Sequence, residues 1–158
     1  MQSEILKVFK ARKSDNPIRT MPELVDWMKY ECANSNGGYG IGQTAHDGFE
    51  IEREGQAWHW RFNERGNSRT IQTFESEEEI VSFAYDQIRK DPWAWTHCIG
   101  WLKAENESAA LRKNLEERGF PFYSDQIPYG GIDDPRYRVF VFGRDSLSFK
   151  ALDPKKCA

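Results

Sequence analysis

The apolar positions run with helical spacing at the start of the chain, change to alternation in the middle, and return to helical spacing before a last strand. Residues 3–12 (SEILKVFKAR) place Ile5, Val8 and Phe9 on one face and Lys7 and Lys10 elsewhere, which predicts a short amphipathic helix. Residues 14–17 break it with Ser, Asp, Asn and Pro. Thr20-Met21-Pro22-Glu23 is a helix start, because Thr20 can cap, Glu23 can reach back to it, and proline is tolerated in the first turn. That helix is predicted to reach Ala33, with Leu24, Trp27, Met28 and Cys32 inward, and residues 34–38 end it.

From residue 39 the period becomes two. Phe49 and Ile51 alternate with Glu50 and Glu52, Trp58, Trp60 and Phe62 alternate with His59 and Arg61, and residues 69–74 read as a further strand. Turn signals at Glu54-Gly55 and Arg65-Gly66 make these strands neighbours in an antiparallel meander, one face buried and the other wet. Residues 39–44 are a candidate earlier strand.

Helical spacing then resumes. Ser76-Glu77-Glu78-Glu79 reads as a second capping box, opening a helix to Lys90 with Ile80, Ala84 and Ile88 aligned. Asp91-Pro92 predicts a third helix over 92–103, on which Trp93, His97 and Trp101 form a stripe at i, i+4 and i+8, packed with Trp58 and Trp60 in a core. Asn106 caps a fourth, ending at Gly119 with Leu111 and Leu115 inward. Residues 120–136 read as a long loop. Residues 136–142 form a strand apolar on both faces, and residues 147–152 are a candidate partner for it. The expected architecture is a single α+β domain over residues 1–158, an antiparallel sheet packed against several α-helices.

Composition narrows the function classes. With 39% hydrophobic and 30% charged residues and a mean hydropathy of −0.78, no apolar run approaches the roughly 20 residues of a spanning helix. Acid and base are scattered through residues 1–13, unlike a secretory signal. Cys32, Cys98 and Cys157 are odd in number and far apart, which argues for a reducing, cytoplasmic compartment. Ten Phe, six Tyr and six Trp are many rings for so polar a chain, enough to hold a core and leave some for a binding surface.

Charge adds direction. The net value is −3, but residues 45–91 carry eleven acidic and six basic side chains, while residues 1–30 carry four acidic and six basic. Without a dense basic stripe, nucleic acid is not expected as a partner; a basic protein is.

Candidate chemistry is sparse. Gly40-x-Gly42-x-x-Ala45 matches a dinucleotide fingerprint in letters, but a helix precedes it and a strand follows, the reverse of what pyrophosphate binding needs. His46, His59 and His97 show no zinc spacing with the cysteines, so neither a metal nor a cofactor is expected. Glu77, Glu78 and Glu79 sit where a helix dipole favours acids. No nucleophile elbow or phosphate loop occurs, and no enzyme is expected. Residues 126–135 (QIPYGGIDDP) combine a long loop with Tyr129, Asp133 and Asp134, an aromatic anchor beside charge.

One stretch resembles a known group. EREGQAWHWRF at 52–62, the Glu64-Arg65-Gly66 turn, and a strand running into Thr73-Phe74-Glu75-Ser76-Glu77-Glu78-Glu79-Ile80-Val81 and Phe83-Ala84-Tyr85 are similar to small bacterial immunity proteins of polymorphic-toxin and contact-dependent growth inhibition systems. The match covers about a quarter of the chain, residues 52–90. The resemblance implies a non-catalytic cytoplasmic protein that binds a cognate toxin domain, a nuclease among the expected kinds, and blocks its active site or substrate entry. Such families carry no universal binding residues, so none transfers. An acidic inhibitor of a basic toxin would mimic phosphate charge and hasten encounter. From charge and expected exposure, the candidate contact residues are Glu50, Glu52, Glu77, Glu78, Asp86, Tyr129, Asp133 and Asp134. Two other readings stay open: a carbohydrate- or peptide-binding module exposing some of Trp58, Trp60, Trp93 and Trp101, and an enzyme using His46-Asp47 or His59.

Overall fold

The structure is a computed structural model that describes residues 2–34 and 38–149. In chain order its elements are α1 (Gln2–Val8), α2 (Met21–Tyr30), β1 (Tyr39–Gly40), β2 (Gly48–Glu54), β3 (Ala57–Glu64), β4 (Asn67–Phe74), α3 (Glu77–Lys90), β5 (Thr96–Leu102), α4 (Glu105–Glu117), β6 (Tyr123–Ile127) and β7 (Arg136–Phe142). Single 3-10 stretches cover Pro92–Trp95 and Gly143–Ser148. The class is α+β, as expected, but the strands fall into two sheets and the chain into two compact units, residues 10–94 and residues 95–158 with 1–9.

In the unit of residues 10–94, the order β1-β2-β3-β4 contains the predicted meander. Arg65 and Gly66, at φ +50° and +80°, make the two-residue turn between Glu64 and Asn67, the left-handed pair that matches strand twist. The helix starts follow the sequence. Thr20 and Glu23 form a complete capping box on α2. On α3 the box is half made: Ser76 Oγ accepts from Glu79 N at 3.3 Å, but the Glu79 carboxylate accepts from Glu75 N instead of the cap residue. The expected strand over 39–44 is only β1, which pairs parallel with β2.

Paired residues share a sheet face, so the register orders the aromatics. Phe49, Trp60 and Phe62 lie on the face toward α3. Trp60 stacks on Phe49 (5.2 Å, 12°) and meets Phe83 of α3 edge-on at 5.7 Å. Trp60 is 2% exposed; Leu24, Ile80, Val81, Ala84 and Ile88 are fully enclosed. Trp27 of α2 packs edge-on against Tyr85 of α3.

In the other unit the order is β5-β7-β6, all antiparallel. The central place of β7 explains why it is apolar on both faces. Ile99, Leu115, Phe122, Val139 and Val141 form the core, with Leu111, Phe120 and Phe149 against it.

Four expectations fail here. The helix predicted over 92–103 is a 3-10 turn followed by β5, so Trp93, His97 and Trp101 do not form a helical stripe. Gly100 explains part of this: a Cβ there would lie 2.9 Å from Leu111 Cδ2, and glycine is a poor helix-interior residue. The long loop over 120–136 contains β6. The strand expected at 147–152 is a 3-10 stretch as far as Ser148, and residues 150–152 lie outside the described residues. The fourth helix begins after Ala104, two residues before the expected cap Asn106.

Candidate functional site

The alternation of β2 and β3 turns Glu50 and Glu52 to the sheet face opposite α3, beside His59 and Arg61. That face is a network of polar pairs. Glu52 is bonded to Arg61, His59 Nδ1 lies 2.9 Å from Thr73 Oγ1, and His59 Nε2 is 3.7 Å from Glu54. Glu50 is half-buried, its carboxylate accepting from Ala45 N at 2.9 Å. Asn63 donates to the Ala45 carbonyl at 2.9 Å, so residues 44–46 fold over one end of this face. A polar cleft remains there, lined by His46, Glu50, Arg61, Asn63 and Ser68.

The acids of α3 form a separate group on the other side of the sheet. Glu77 is half-buried and accepts from Met21 N at 2.8 Å, so it ties α3 to the start of α2 and does not offer its charge outward. Glu78 is exposed, with Arg19 at 3.4 Å, and Asp86 pairs with Lys90 one turn on. Glu78, Glu79 and Asp86 rim an open groove between α3 and β4, whose apolar part is Phe74 and Phe83, ring centroids 5.2 Å apart, and whose remaining lining is Ser76 and Ser82. Three carboxylates and no base line it. Glu79, Phe74 and Phe83 were not among the expected contact residues. Their signal was the spacing 79, 83, 86, one face of a helix beginning just after a strand that ends in Phe74.

Tyr129, Asp133 and Asp134 lie on the turn joining β6 to β7, and the turn is latched from within. Gly130 N donates to Asp134 O at 3.0 Å and Tyr129 N to Ile127 O at 2.9 Å. Asp134 holds the guanidinium of Arg136, with Oδ2 3.1 Å from Nη2, and this hydrogen-bonded carboxylate raises the Arg136 pKa. Tyr129 is 55% exposed and meets Trp101 edge-on. Ile132, at 90% exposure, is the most exposed large apolar side chain of this turn. Asp133 is exposed. The expected contact residues therefore divide into three places: the open sheet face, the α3 groove, and the β6–β7 turn.

The remaining candidates resolve locally. The glycine string serves close packing: a Cβ on Gly40 would lie 2.8 Å from Ala45 N, and one on Gly48, at φ +134°, would lie 2.2 Å from Gly38 O. Among the described residues, no group of three or more His, Cys, Asp and Glu is placed to hold a metal ion. Among the tryptophans named for a ligand platform, Trp60 is buried, Trp58 and Trp101 are half-buried, and Trp93 is 47% exposed. Cys32 and Cys98 are thiols. No helix of the described residues is long and apolar enough to cross a membrane.

No protein-family model matches the chain, and no curated protein and no solved structure is similar to it.

Proposed function

We propose that this chain is a non-catalytic, cytoplasmic immunity protein that binds a basic bacterial toxin domain and neutralises it by covering its active site or substrate entry. The observation that carries the reading is the groove between α3 and β4, rimmed by Glu78, Glu79 and Asp86 over the apolar rings of Phe74 and Phe83. Carboxylates around an apolar floor suit a protein partner. The charge steers a basic surface inward, and the rings supply area that desolvates on contact. The two ion pairs that touch the rim, Arg19 with Glu78 and Lys90 with Asp86, are surface pairs, weak enough to exchange for a partner's Lys or Arg.

The test is co-expression with the C-terminal domain of the protein encoded by the neighbouring reading frame. The wild-type chain is expected to restore growth, and Glu78→Lys with Asp86→Lys to lose that protection while remaining folded. Growth arrest unrelieved by the wild-type chain would contradict the reading.

A further inference from the structure

We propose that β4 is a docking edge, and that its occupant is an extended basic segment of a protein partner that adds to the sheet as a fifth strand. The proposal rests on the reading that the chain binds a basic protein. It adds the mode of binding.

The strand order leaves β4 at the sheet edge, and every residue of it from Asn67 to Thr73 is exposed. Protected edges are short, carry lysines or prolines, are covered by a loop, or are bent by a bulge; of these β4 has the bulge alone. This one is eight residues long, has Arg69 as its one charge, contains no proline, and leaves Ile71 48% exposed. Its backbone groups on the outer side are a template for further pairing.

The groove then sets what the added strand must be. Phe74 pairs with Trp58 and Gln72 with Trp60, so these residues of β4 lie on the α3 face. Arg69, paired with Phe62, is on the same face toward the other end of β4, so the basic side chains of an added strand belong at the Phe74 end, where Glu78, Glu79 and Asp86 rim the groove over Phe74 and Phe83. Its other side chains would lie beside Ser68, Thr70 and Thr73, neutral polar residues on the face that carries Glu52 and Arg61 one strand further in. Lysine or arginine alternating with small polar or β-branched residues satisfies both faces.

The occupant is a partner segment and not a second copy of the chain. The register of β3 and β4 shifts between Trp60 and Arg61, placing Ile71 as the extra residue of a bulge in β4. A bulge bends and twists an edge, so two identical rigid edges pair poorly across it, while a pliable segment can follow the bend.

The probe is a short blocked peptide alternating lysine with threonine and valine, titrated into the full chain labelled for amide NMR. A control peptide carries N-methyl groups on alternate amides. Saturable shifts are expected at the amides of residues 67–74 and 78–86, with slowed hydrogen exchange along β4. N-methylation should weaken binding about tenfold, because it removes the ladder while keeping the charge. The double variant Glu79→Gln, Asp86→Asn should weaken it about fivefold, and added salt should do the same to the wild type.

Absence of shifts on β4 at millimolar peptide, shifts spread over the surface, or equal binding of the methylated peptide would overturn the proposal. So would β4 shifts that grow with protein concentration alone, since these would make a second copy the occupant. Peptide pairing without protection from a toxin would leave the edge and remove the toxin reading; protection without peptide pairing would do the opposite.

Discussion

The guanidinium of Arg136 lies 5.0 Å over the ring of Tyr129, and the same ring meets Trp101 edge-on at 5.3 Å. Arg136 is buried and is held by Asp134, so one side chain links the base of the β6–β7 turn to its tip. The sequence marks Tyr129 and Asp134 as outward contacts; in the fold both also brace the turn. Asp134→Asn is therefore expected to loosen it. Hydrogen exchange should quicken at the amides of Gly130 and Asp134 and stay unchanged at Val139 and Val141. Unaltered exchange at the first pair would show that the latch carries no weight.

Trp60 is expected to dominate the stability of its unit, because it touches Phe49 and Phe83 and has almost no solvent contact. Trp60→Ala should cost about 3–5 kcal/mol by denaturant unfolding, the range for large core aromatics. Trp58→Ala should cost less, since Trp58 is half-buried and covered in part by Arg53.

The start of α2 makes a pH-dependent contribution. Backbone N–H groups of Arg19 and then Thr20 donate to the Glu23 carboxylate and hold its pKa below the ordinary 4.5. A lowered folded-state value means the stabilisation is complete above the ordinary one and is lost as pH falls through the folded one. The stability difference between wild type and Glu23→Gln should be flat near neutrality and shrink below about pH 4. Thr20→Ala should cost about 0.5–2 kcal/mol, the usual range for a lost cap.

Trp93 separates a buried-ring protein from an aromatic ligand platform. Its exposure of 47% stands against 2% for Trp60, 0% for Trp95 and 6% for Trp27. Iodide should quench a minor part of the tryptophan emission, shared among Trp93 and the half-buried Trp58 and Trp101, and Trp93→Phe should remove the largest single share. Broad quenching that survives Trp93→Phe would favour the carbohydrate or peptide module.

The parts of the fold legible in the sequence are those written locally. Thr20 and Glu23 are three residues apart, Arg65-Gly66 is a two-residue turn, and the β2–β3 alternation spans a few positions. Residues 96–102 carry a helical signal because Trp93, His97 and Trp101 share helical spacing, while the shift between Cys98 and Gly100 interrupts the alternation that announces a strand. β6 is silent in the sequence because YSDQI carries little periodic signal; it is a strand through pairing with β7, including Asp125 with Arg138 thirteen residues away. The candidate site was partly legible for the same reason. Charge marked Glu78 and Asp86, but nothing local announces that Glu77 is engaged by Met21 N, fifty-six residues back.

The central claim is that the acidic groove receives a basic protein. The most direct measurement is the affinity of the purified chain for the neighbouring frame's C-terminal domain as ionic strength rises, for wild type and for Glu78→Gln with Asp86→Asn. The account predicts a tight complex whose affinity falls steadily with salt, and a shallower fall in the variant. A complex indifferent to salt, with the variant matching the wild type at every concentration, would contradict it.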